Sequence, residues 1–275
     1  IQSLHGKMFL DSRSNEGCDR GERSYGRVLL MQADKIKEYY LSDTVVDYYA
    51  KATSSVGLWI SERKIFQRVF ADYEAGLLDV GCGCGRISFG LSQLGYKNLL
   101  GIDYSSKMIK KARQIARIQE SGLSFQVADA TELPFSDNLF EGAIFGFNGL
   151  MQIPGRDKRR AALEEIFRVL SPGSYFVFTT HQREMNKWRK FWKQERERWR
   201  KGKQAKDLGE YGDRYEPTKL GNLFIHVPAK NDIVKDLEAV GFMLEADVLR
   251  SEVAHEPESV REFSDECRFW VARKP

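Results

Sequence analysis

Glycines at alternate positions form the part of the sequence best suited to hold a ligand. Gly81, Gly83 and Gly85 directly follow the apolar stretch 77–80, and a helical pattern begins at Arg86. Glycine lets the backbone turn sharply and lets a ligand approach where a Cβ would stand in the way. The helix that follows offers N–H groups with no partner inside the helix. The spacing therefore predicts a ligand-binding turn between a strand and a helix.

Two acidic residues beside the glycines narrow the class of ligand. Asp103 ends the next apolar stretch, about 20 residues beyond the glycines, where dinucleotide-binding folds place a ribose hydroxyl ligand. Asp79 lies at the mouth of the first strand, where its charge would repel a pyrophosphate. The glycine spacing is G-x-G-x-G, whereas the NAD fingerprint is G-x-G-x-x-G. These features disfavour NAD and favour a ligand that carries a cationic amino group.

Strands and helices alternate around this turn. The apolar pattern predicts strands at 77–80, 99–102, 124–128, 142–147 and 175–180, with helices between them. The alternation breaks after residue 180 and resumes at 232 with a helix, which is followed by strands at 242–249 and 268–272. Such alternation predicts a parallel sheet that is covered by helices on both faces.

Further motifs follow the glycines in order. They are residues 78–85, residues 101–105 with Met108, residues 128–131 followed by 133–135, residues 140–144 and residues 168–173. On these motifs the sequence resembles the class I S-adenosylmethionine-dependent methyltransferases, closely over 75–180 and more loosely over 230–273. Glu141 departs from the pattern, since the family more often has Asp there. The resemblance implies an α/β fold with a Rossmann-like, doubly wound, seven-stranded sheet. That sheet would be mostly parallel, with the last strand antiparallel, and would carry a helical cap or insertion.

The resemblance also implies S-adenosylmethionine as cofactor and S-adenosylhomocysteine as product. The glycine loop would line the methionine part, Asp79 would hold the amino group, and Asp103 would accept from the ribose hydroxyls. Asp129 and Ala130 would reach the adenine edge. The full set implied for the cofactor is Asp79, Gly81, Cys82, Gly83, Gly85, Asp103, Tyr104, Met108, Asp129, Ala130 and Phe147.

Residues for the methyl acceptor are less well marked. No N-P-P-Y-type motif follows the fourth strand, which disfavours methylation of amino groups of nucleobases or of glutamine. His181 follows the fifth strand at the edge where open α/β sheets bind ligands, and it is the candidate general base. A surface or capping histidine is the alternative. The candidate substrate contacts are Tyr40, Trp59, Asn148, Gln152 and His226, each of which also suits ordinary packing or a loop role.

The net charge of +4 is unevenly distributed. Residues 183–206 contain eleven Lys and Arg against three Glu, a net of +8, so the rest of the chain is near −4. Aromatic residues recur there at helical spacing, which predicts an amphipathic helix with an aromatic stripe. Its basic face fits a solvated surface, a docking surface for an acidic or phosphorylated substrate, a strand of RNA or a membrane surface.

Composition excludes several classes of protein. With 42% apolar and 30% charged residues, the chain is neither disordered nor fibrous. It contains no apolar stretch near the roughly 20 residues that a membrane-spanning helix needs. The four cysteines form no C-x-x-C pair, which disfavours a disulfide scaffold or a thiol metal site. We therefore expect a cytoplasmic protein with no metal.

Four parts are expected along the chain: an N-terminal arm and helical lid (1–70, irregular over 11–27), a cofactor-binding core (71–182), a basic aromatic helical insertion (183–229) and a C-terminal part that completes the sheet (230–275). The leading hypothesis is methyl transfer to a small molecule. The alternatives are an RNA methyltransferase that uses the basic insertion and a non-catalytic regulatory domain that binds the cofactor. No membrane partner is expected, and the sequence does not indicate the oligomeric state.

Overall fold

A seven-stranded sheet forms the centre of the computed structural model, which describes the backbone of residues 15–275 and the side chains of 25–275. The strands are β1 (Leu77–Val80), β2 (Leu99–Asp103), β3 (Ser124–Val127), β4 (Phe140–Phe145), β5 (Leu170–Thr180), β6 (Asp213–Thr218), β7 (Gly221–His226), β8 (Met243–Leu249) and β9 (Arg268–Arg273). The central sheet has the order β3-β2-β1-β4-β5-β9-β8. Strands β1 to β5 pair in parallel, and β9 runs antiparallel to both β5 and β8. The predicted fold is confirmed.

Helices cover both faces of this sheet. They are α1 (Asn15–Leu41), α2 (Asp43–Ser55), α3 (Ile60–Val69), α4 (Arg86–Gln93), α5 (Ser106–Ile118), α6 (Arg156–Val169), α7 (Arg189–Arg200), α8 (Lys230–Val240), α9 (Arg250–Val253) and α10 (Glu258–Phe263). Alternate strand residues face opposite sides, so Leu78 packs in the core with α6 and α8, while Leu77 packs in the core with α3 and α4. Within the described residues, no helix has the length and apolarity to cross a membrane.

Two regions differ from the sequence prediction. Helix α1 begins at Asn15, where an irregular arm was expected over 11–27, and residues 11–14 lie outside the described part. The part of this helix over 15–27 escaped prediction because it carries no apolar stripe of the kind that marks an amphipathic helix.

The insertion is also different from the single helix predicted over 183–206. Helix α7 spans only Arg189–Arg200, after a short 3-10 turn, and the rest of the insertion contains the antiparallel hairpin β6–β7. The segment 223–227 is apolar and rich in residues that favour strands, and it pairs with a strand of polar residues that shows no such signal. The four-part division of the chain stays a prediction.

A buried ion pair joins the helices before β1 to the glycine loop after it. Arg86, the first residue of α4, donates two hydrogen bonds to the carboxylate of Glu62 in α3, at 2.6 and 2.7 Å. Glu62 is fully buried and Arg86 is 8% exposed. Arg86 also donates to the Gly57 carbonyl at 2.8 Å, and its guanidinium lies 4.9 Å from the ring centre of Trp59. The pair therefore fixes the position of the segment 57–62 against the loop.

Replacing Glu62→Gln should destabilise the protein strongly, because Arg86 would keep a buried charge without a counter-charge. Breaking one side of such a pair costs about 3–5 kcal/mol. The free energy of unfolding, measured by urea denaturation, checks this. Glu74→Gln is the matched control, because Glu74 pairs with Lys97 at the surface, where a pair contributes at most about 1 kcal/mol. Equal losses in the two variants would contradict the structural role of the buried pair.

Candidate active site

A cavity of about 610 Å³ opens at the carboxyl ends of β1 to β4, where open α/β sheets bind ligands. One side of the cavity is formed by the loops after β1, β2 and β3. The opposite side is formed by the segment between β4 and α6. Helix α1 covers the cavity, from Leu29 beside Gly155 to Tyr40, whose carbonyl accepts a hydrogen bond from the Ser105 hydroxyl after β2 at 2.7 Å. The residues of α1 and of the opposite side include Leu29, Leu30, Ala33, Ile36, Tyr40, Phe147, Gln152, Ile153, Pro154 and Lys158.

The glycine loop forms the floor of the cavity, and its geometry explains the residue type at each position. All three glycines have positive φ: 63° at Gly81, 56° at Gly83 and 91° at Gly85. A Cβ on Gly81 would lie 2.6 Å from Phe145, and one on Gly85 would lie 2.8 Å from Phe89. Around Gly83 there is open space, since a Cβ would meet nothing within 4 Å. Gly81 and Gly83 line the cavity, whereas Gly85 shapes the turn from behind.

Two carboxylates flank the loop, of which Asp79 is buried and Asp103 is half-buried. Asp103 accepts hydrogen bonds from the N–H groups of Gly83 (2.9 Å) and Ser105 (2.7 Å), one on each oxygen. One oxygen of Asp79 accepts from the N–H and the hydroxyl of Ser88, at 3.1 and 2.6 Å. Its other oxygen, Oδ1, has no hydrogen bond to any described residue, although Asp79 is only 2% exposed. Burial raises the pKa of Asp79 to about 7 and also raises the pKa of Asp103.

The loops after β2 and β3 complete this side of the cavity. Tyr104 is 54% exposed at the mouth, and Met108 is buried on α5. Asp129 accepts from the backbone N–H and the hydroxyl of Thr131, both at 2.8 Å, which holds the loop in a tight turn beside Ala130. All of these residues line the cavity, as do Cys82 and Phe147. Gly85 is therefore the one residue of the predicted cofactor set that does not reach the cavity wall.

An aromatic wall stands behind the loop that follows β4. Phe147 has a φ of 50° and stacks on Phe263 with ring centres 4.8 Å apart. Its ring centre also lies 6.0 Å from that of Trp59 and 6.1 Å from that of Tyr49. Positive φ is costly for a residue with a side chain. The packing around Phe147 therefore holds a strained turn in place at the cavity wall.

Tyr40 and Gln152 are the two predicted substrate residues that line the cavity, and they contact each other. The Tyr40 hydroxyl donates a hydrogen bond to Oε1 of Gln152. Burial raises the pKa of Tyr40 well above its ordinary value, so this hydroxyl stays protonated. The pair brings an amide and a hydroxyl together from segments more than a hundred residues apart.

Four of the predicted residues are not at the cavity. Trp59 is fully buried behind Phe147, and Asn148 is 3% exposed with its side chain directed to His181. His181 donates from Nδ1 to the Glu266 carbonyl at 2.9 Å, so its Nε2 accepts from the Asn148 amide at 3.2 Å. The lone pair of Nε2 is therefore already engaged in a hydrogen bond, and burial lowers the pKa of His181. His226 is buried beside Asp213, away from this cavity.

On α1 the sequence prediction named Tyr40 but missed the apolar residues Leu29, Ala33 and Ile36 that line the cavity with it. Leu29, Ala33, Ile36 and Tyr40 follow each other at spacings of four, three and four residues, which is the stripe of an amphipathic helix. This spacing could have shown that α1 has an apolar face. It could not have shown that the face covers a cavity, since the partner of that face is set by the tertiary structure. Lys158 and Phe263 also line the cavity, but neither belongs to a sequence motif that would have marked it as a cavity residue.

Known proteins share parts of this sequence and its fold. Residues 77–173 match the family model described as a methyltransferase domain. Over these residues the chain carries a methyltransferase domain. It is 32% identical over 130 residues to O-methyltransferase resE of Aspergillus sclerotiorum (46% of this chain, 48% of that protein) and 33% identical over 119 residues to a demethylmenaquinone methyltransferase of Desulfitobacterium hafniense (42% and 46%). The chain thus spans less than half the length of these two curated relatives.

The fold of the chain is shared with solved structures. A SAM-dependent methyltransferase from Methanosarcina mazei superimposes with a TM-score of 0.61 over 76% of this chain and 96% of that chain, at 22% sequence identity. At this level of identity the likeness concerns the fold alone.

A buried hydrogen-bond network attaches α1 to the insertion. Gln32, which is fully buried, donates from Nε2 to the Asp207 carbonyl (3.0 Å) and to Oδ2 of Asp213 (3.1 Å). Oδ1 of Asp213 contacts Nδ1 of His226 at 2.9 Å. Burial raises the pKa of Asp213, but the hydrogen bonds from His226 and Gln32 act in the opposite direction, and the net effect is a lowered pKa. The network holds the cavity-covering helix against the hairpin β6–β7.

The same network accounts for a cluster of potential metal ligands. Ligand atoms of Glu210, Asp213 and His226 all lie within 4.8 Å of one another. Each is already occupied, because Glu210 pairs with Arg159 at 2.7 Å and Asp213 also accepts from the N–H groups of Gly209 and Glu210. A buried arginine beside the cluster further opposes a cation there. Hydrogen bonding explains the cluster without a metal ion.

Replacing Asp213→Ala should loosen α1 from the insertion. The change leaves the donors of Gln32 and His226 unpaired in a buried place, at a cost of about 1–3 kcal/mol. We expect amide hydrogen exchange in residues 25–41 to become about tenfold faster or more. Glu216→Ala, on the same strand but half-exposed, is the control and should leave exchange in α1 unchanged. Unaltered protection of α1 in the Asp213 variant would show that the network does not hold the helix.

Proposed function

We propose that this protein transfers a methyl group from S-adenosylmethionine to a small-molecule acceptor with a largely apolar body. The observation that carries the proposal is the division of one cavity into two halves. One half has the glycine loop and carboxylates that suit the cofactor, and the other has an apolar wall from α1. The names of the relatives agree with such chemistry, since one is an O-methyltransferase and another a demethylmenaquinone methyltransferase.

The walls of the first half fit the cofactor by their chemistry. The free Oδ1 of buried Asp79 suits a cationic amino group, which would offset the cost of burying that carboxylate. Each oxygen of Asp103 already accepts one N–H and keeps acceptor capacity for a ribose hydroxyl. The open space at Gly83 lets a ligand lie against the backbone. Asp129 and Ala130 would meet the adenine edge, with Tyr104 and Met108 beside the ring.

When bound, S-adenosylmethionine supplies a methyl group on a cationic sulfur, and the protein's task is alignment. The aromatic wall of Phe147, Tyr49 and Phe263 excludes water from the reacting centre. The Tyr40 hydroxyl donates to Oε1 of Gln152 and so holds this side chain, whose amide N–H groups can orient the acceptor. Burial raises the pKa of Tyr40, so its hydroxyl keeps its proton and does not serve as a base. None of the cavity-lining residues in the described part of the chain is a histidine.

Two features of the insertion favoured the alternative of RNA methylation, namely its basic charge and its aromatic rings, and the second of them loses its weight. Base stacking needs exposed aromatic rings, whereas Trp192 on α7 is 6% exposed. Trp188 and Trp199 are half-buried and pack against Phe191 and Tyr211. The basic face of α7 remains, and charge alone gives no preference for RNA. A cytoplasmic location stays a prediction.

Two measurements test the proposed function. Isothermal titration should show that S-adenosylhomocysteine binds with one site per chain. Incubation with methyl-labelled S-adenosylmethionine and a panel of phenols and hydroquinones should show label moving into an apolar product. Absence of cofactor binding would overturn the proposal. Binding without transfer to any member of a broad panel would favour a regulatory domain.

The affinity for S-adenosylhomocysteine should rise with pH below about 7. The pKa of Asp79 is raised to about 7 in the free protein, so the carboxylate that binds an ammonium must first lose a proton. The expected slope approaches tenfold per pH unit below that value and flattens above it. Titration from pH 5.5 to 8.5 in buffers of different ionisation enthalpy would also detect the released proton.

Asp79→Asn should flatten this profile and weaken binding. Without cofactor it should also raise the melting temperature at pH 8, because a buried ionised carboxylate is then replaced by a neutral amide. In the parent, the stability that protonated Asp79 contributes is lost as pH rises from its ordinary pKa to about 7. The gain in melting temperature should therefore vanish at pH 4, where Asp79 is protonated in the folded parent. Glu238→Gln, an exposed acid on α8, serves as control. A profile in the Asn variant with the slope of the parent would exclude Asp79 as the titrating group.

A further inference from the structure

Charge is distributed unevenly around the cavity wall. The carboxylates among the described lining residues are Asp79, Asp103 and Asp129, which lie at or just beyond the carboxyl ends of β1, β2 and β3. In the sheet order β3-β2-β1-β4 these strands form one side, and the segment after β4 forms the other. The second side therefore carries no carboxylate from the described residues, and it is the side assigned above to the acceptor.

Lys158 is the cation on the acceptor side. It lies in the first turn of α6, directly after the wall residues Ile153 and Pro154. The cavity's other lining cation, Arg86, is neutralised by its bidentate pair with Glu62. Lys158, in contrast, makes no ion pair or hydrogen bond with any described residue. Within the described residues, its ammonium group is therefore available to a ligand.

Apart from the Gln152 amide, the rest of the acceptor side offers a charged ligand little else. Leu29, Leu30, Ala33 and Ile36 have no polar side-chain atoms, and the Tyr40 hydroxyl is engaged with Gln152. An anionic group placed against this wall would lose hydration without compensation, except where an ammonium group can reach it. A lysine has a long flexible stem that can follow an apolar surface and hold its charge at the opening.

We propose that the acceptor of this enzyme is an apolar molecule that carries an anionic group, and that Lys158 selects it by pairing with that group at the cavity opening. The proposal deepens the proposed function and rests on the same cavity. An acidic hydroxyl or a carboxylate attached to an apolar skeleton has this chemistry. A cationic acceptor of the same shape is disfavoured by Lys158.

Two fluorescent probes with the same skeleton isolate the effect of charge. They are 8-anilinonaphthalene-1-sulfonate, an apolar anion, and N-phenyl-1-naphthylamine, which lacks the sulfonate. Both are titrated into the protein saturated with S-adenosylhomocysteine. Lys158→Met should weaken binding of the sulfonate probe about three- to tenfold, as expected for a charge pair near the surface. Binding of the neutral probe should stay within twofold of the parent, and Lys158→Arg should retain most of the affinity for the anion.

Two further variants locate the probes. Lys235→Met removes an exposed lysine from α8 and should leave both affinities unchanged. Ala33→Trp fills the apolar side and should weaken both probes together. Equal effects of Lys158→Met on the two probes, or an unchanged affinity of Ala33→Trp for the anion, would overturn the proposal. Failure of S-adenosylhomocysteine to bind would instead overturn the proposed function, and the probe titrations without it would still show whether Lys158 selects anions.

Discussion

The buried pair of Arg86 and Glu62 is the constraint on which the cavity depends. A charge held away from water requires a counter-charge and satisfied hydrogen bonds, and Glu62 is supplied by a helix that precedes the sheet. Glu62 also accepts from the Trp59 N–H at 2.9 Å, so the pair fixes the start of α3. The N-terminal helices and the glycine loop are thereby positioned as one unit, although β1 separates them in the chain.

The C-terminal part of the chain strengthens the same junction. Glu256 accepts from the N–H groups of Ile60 and Ser61 at 3.0 and 2.8 Å, which caps α3 from outside the helix. The guanidinium of Arg250 lies 5.2 Å from the ring centre of Trp59, on which Arg86 also packs. Trp59 therefore acts as a structural centre between two arginines. This explains why a residue that sequence reasoning assigned to the substrate is fully buried.

The topology of the sheet explains the contrast between the two halves of the cavity. The strand order reverses at β1, so the loops after β1, β2 and β3 lie together on one side and bring their acids to one half. The loop after β4 begins the other half, which has no roof of its own. That roof is α1, and it is held by Asp207 and Asp213 from the insertion. This half of the cavity is thus assembled from three segments that are far apart in sequence.

Local sequence was sufficient for the sheet and for the wall near the glycine loop, and tertiary structure decided the rest. Asp79, Gly83, Asp103 and Asp129 lie within a few residues of a strand end, so strand order alone brings them to one edge. The position of His181 depended on longer-range contacts, because the Glu266 carbonyl and the Asn148 amide use both of its ring nitrogens. The pattern of the basic segment 183–206 predicted one amphipathic helix over its whole length. The helix spans only Arg189–Arg200, and its tryptophan rings pack against other aromatic side chains. Periodicity reports that a face is apolar, whereas only the folded chain determines what covers that face.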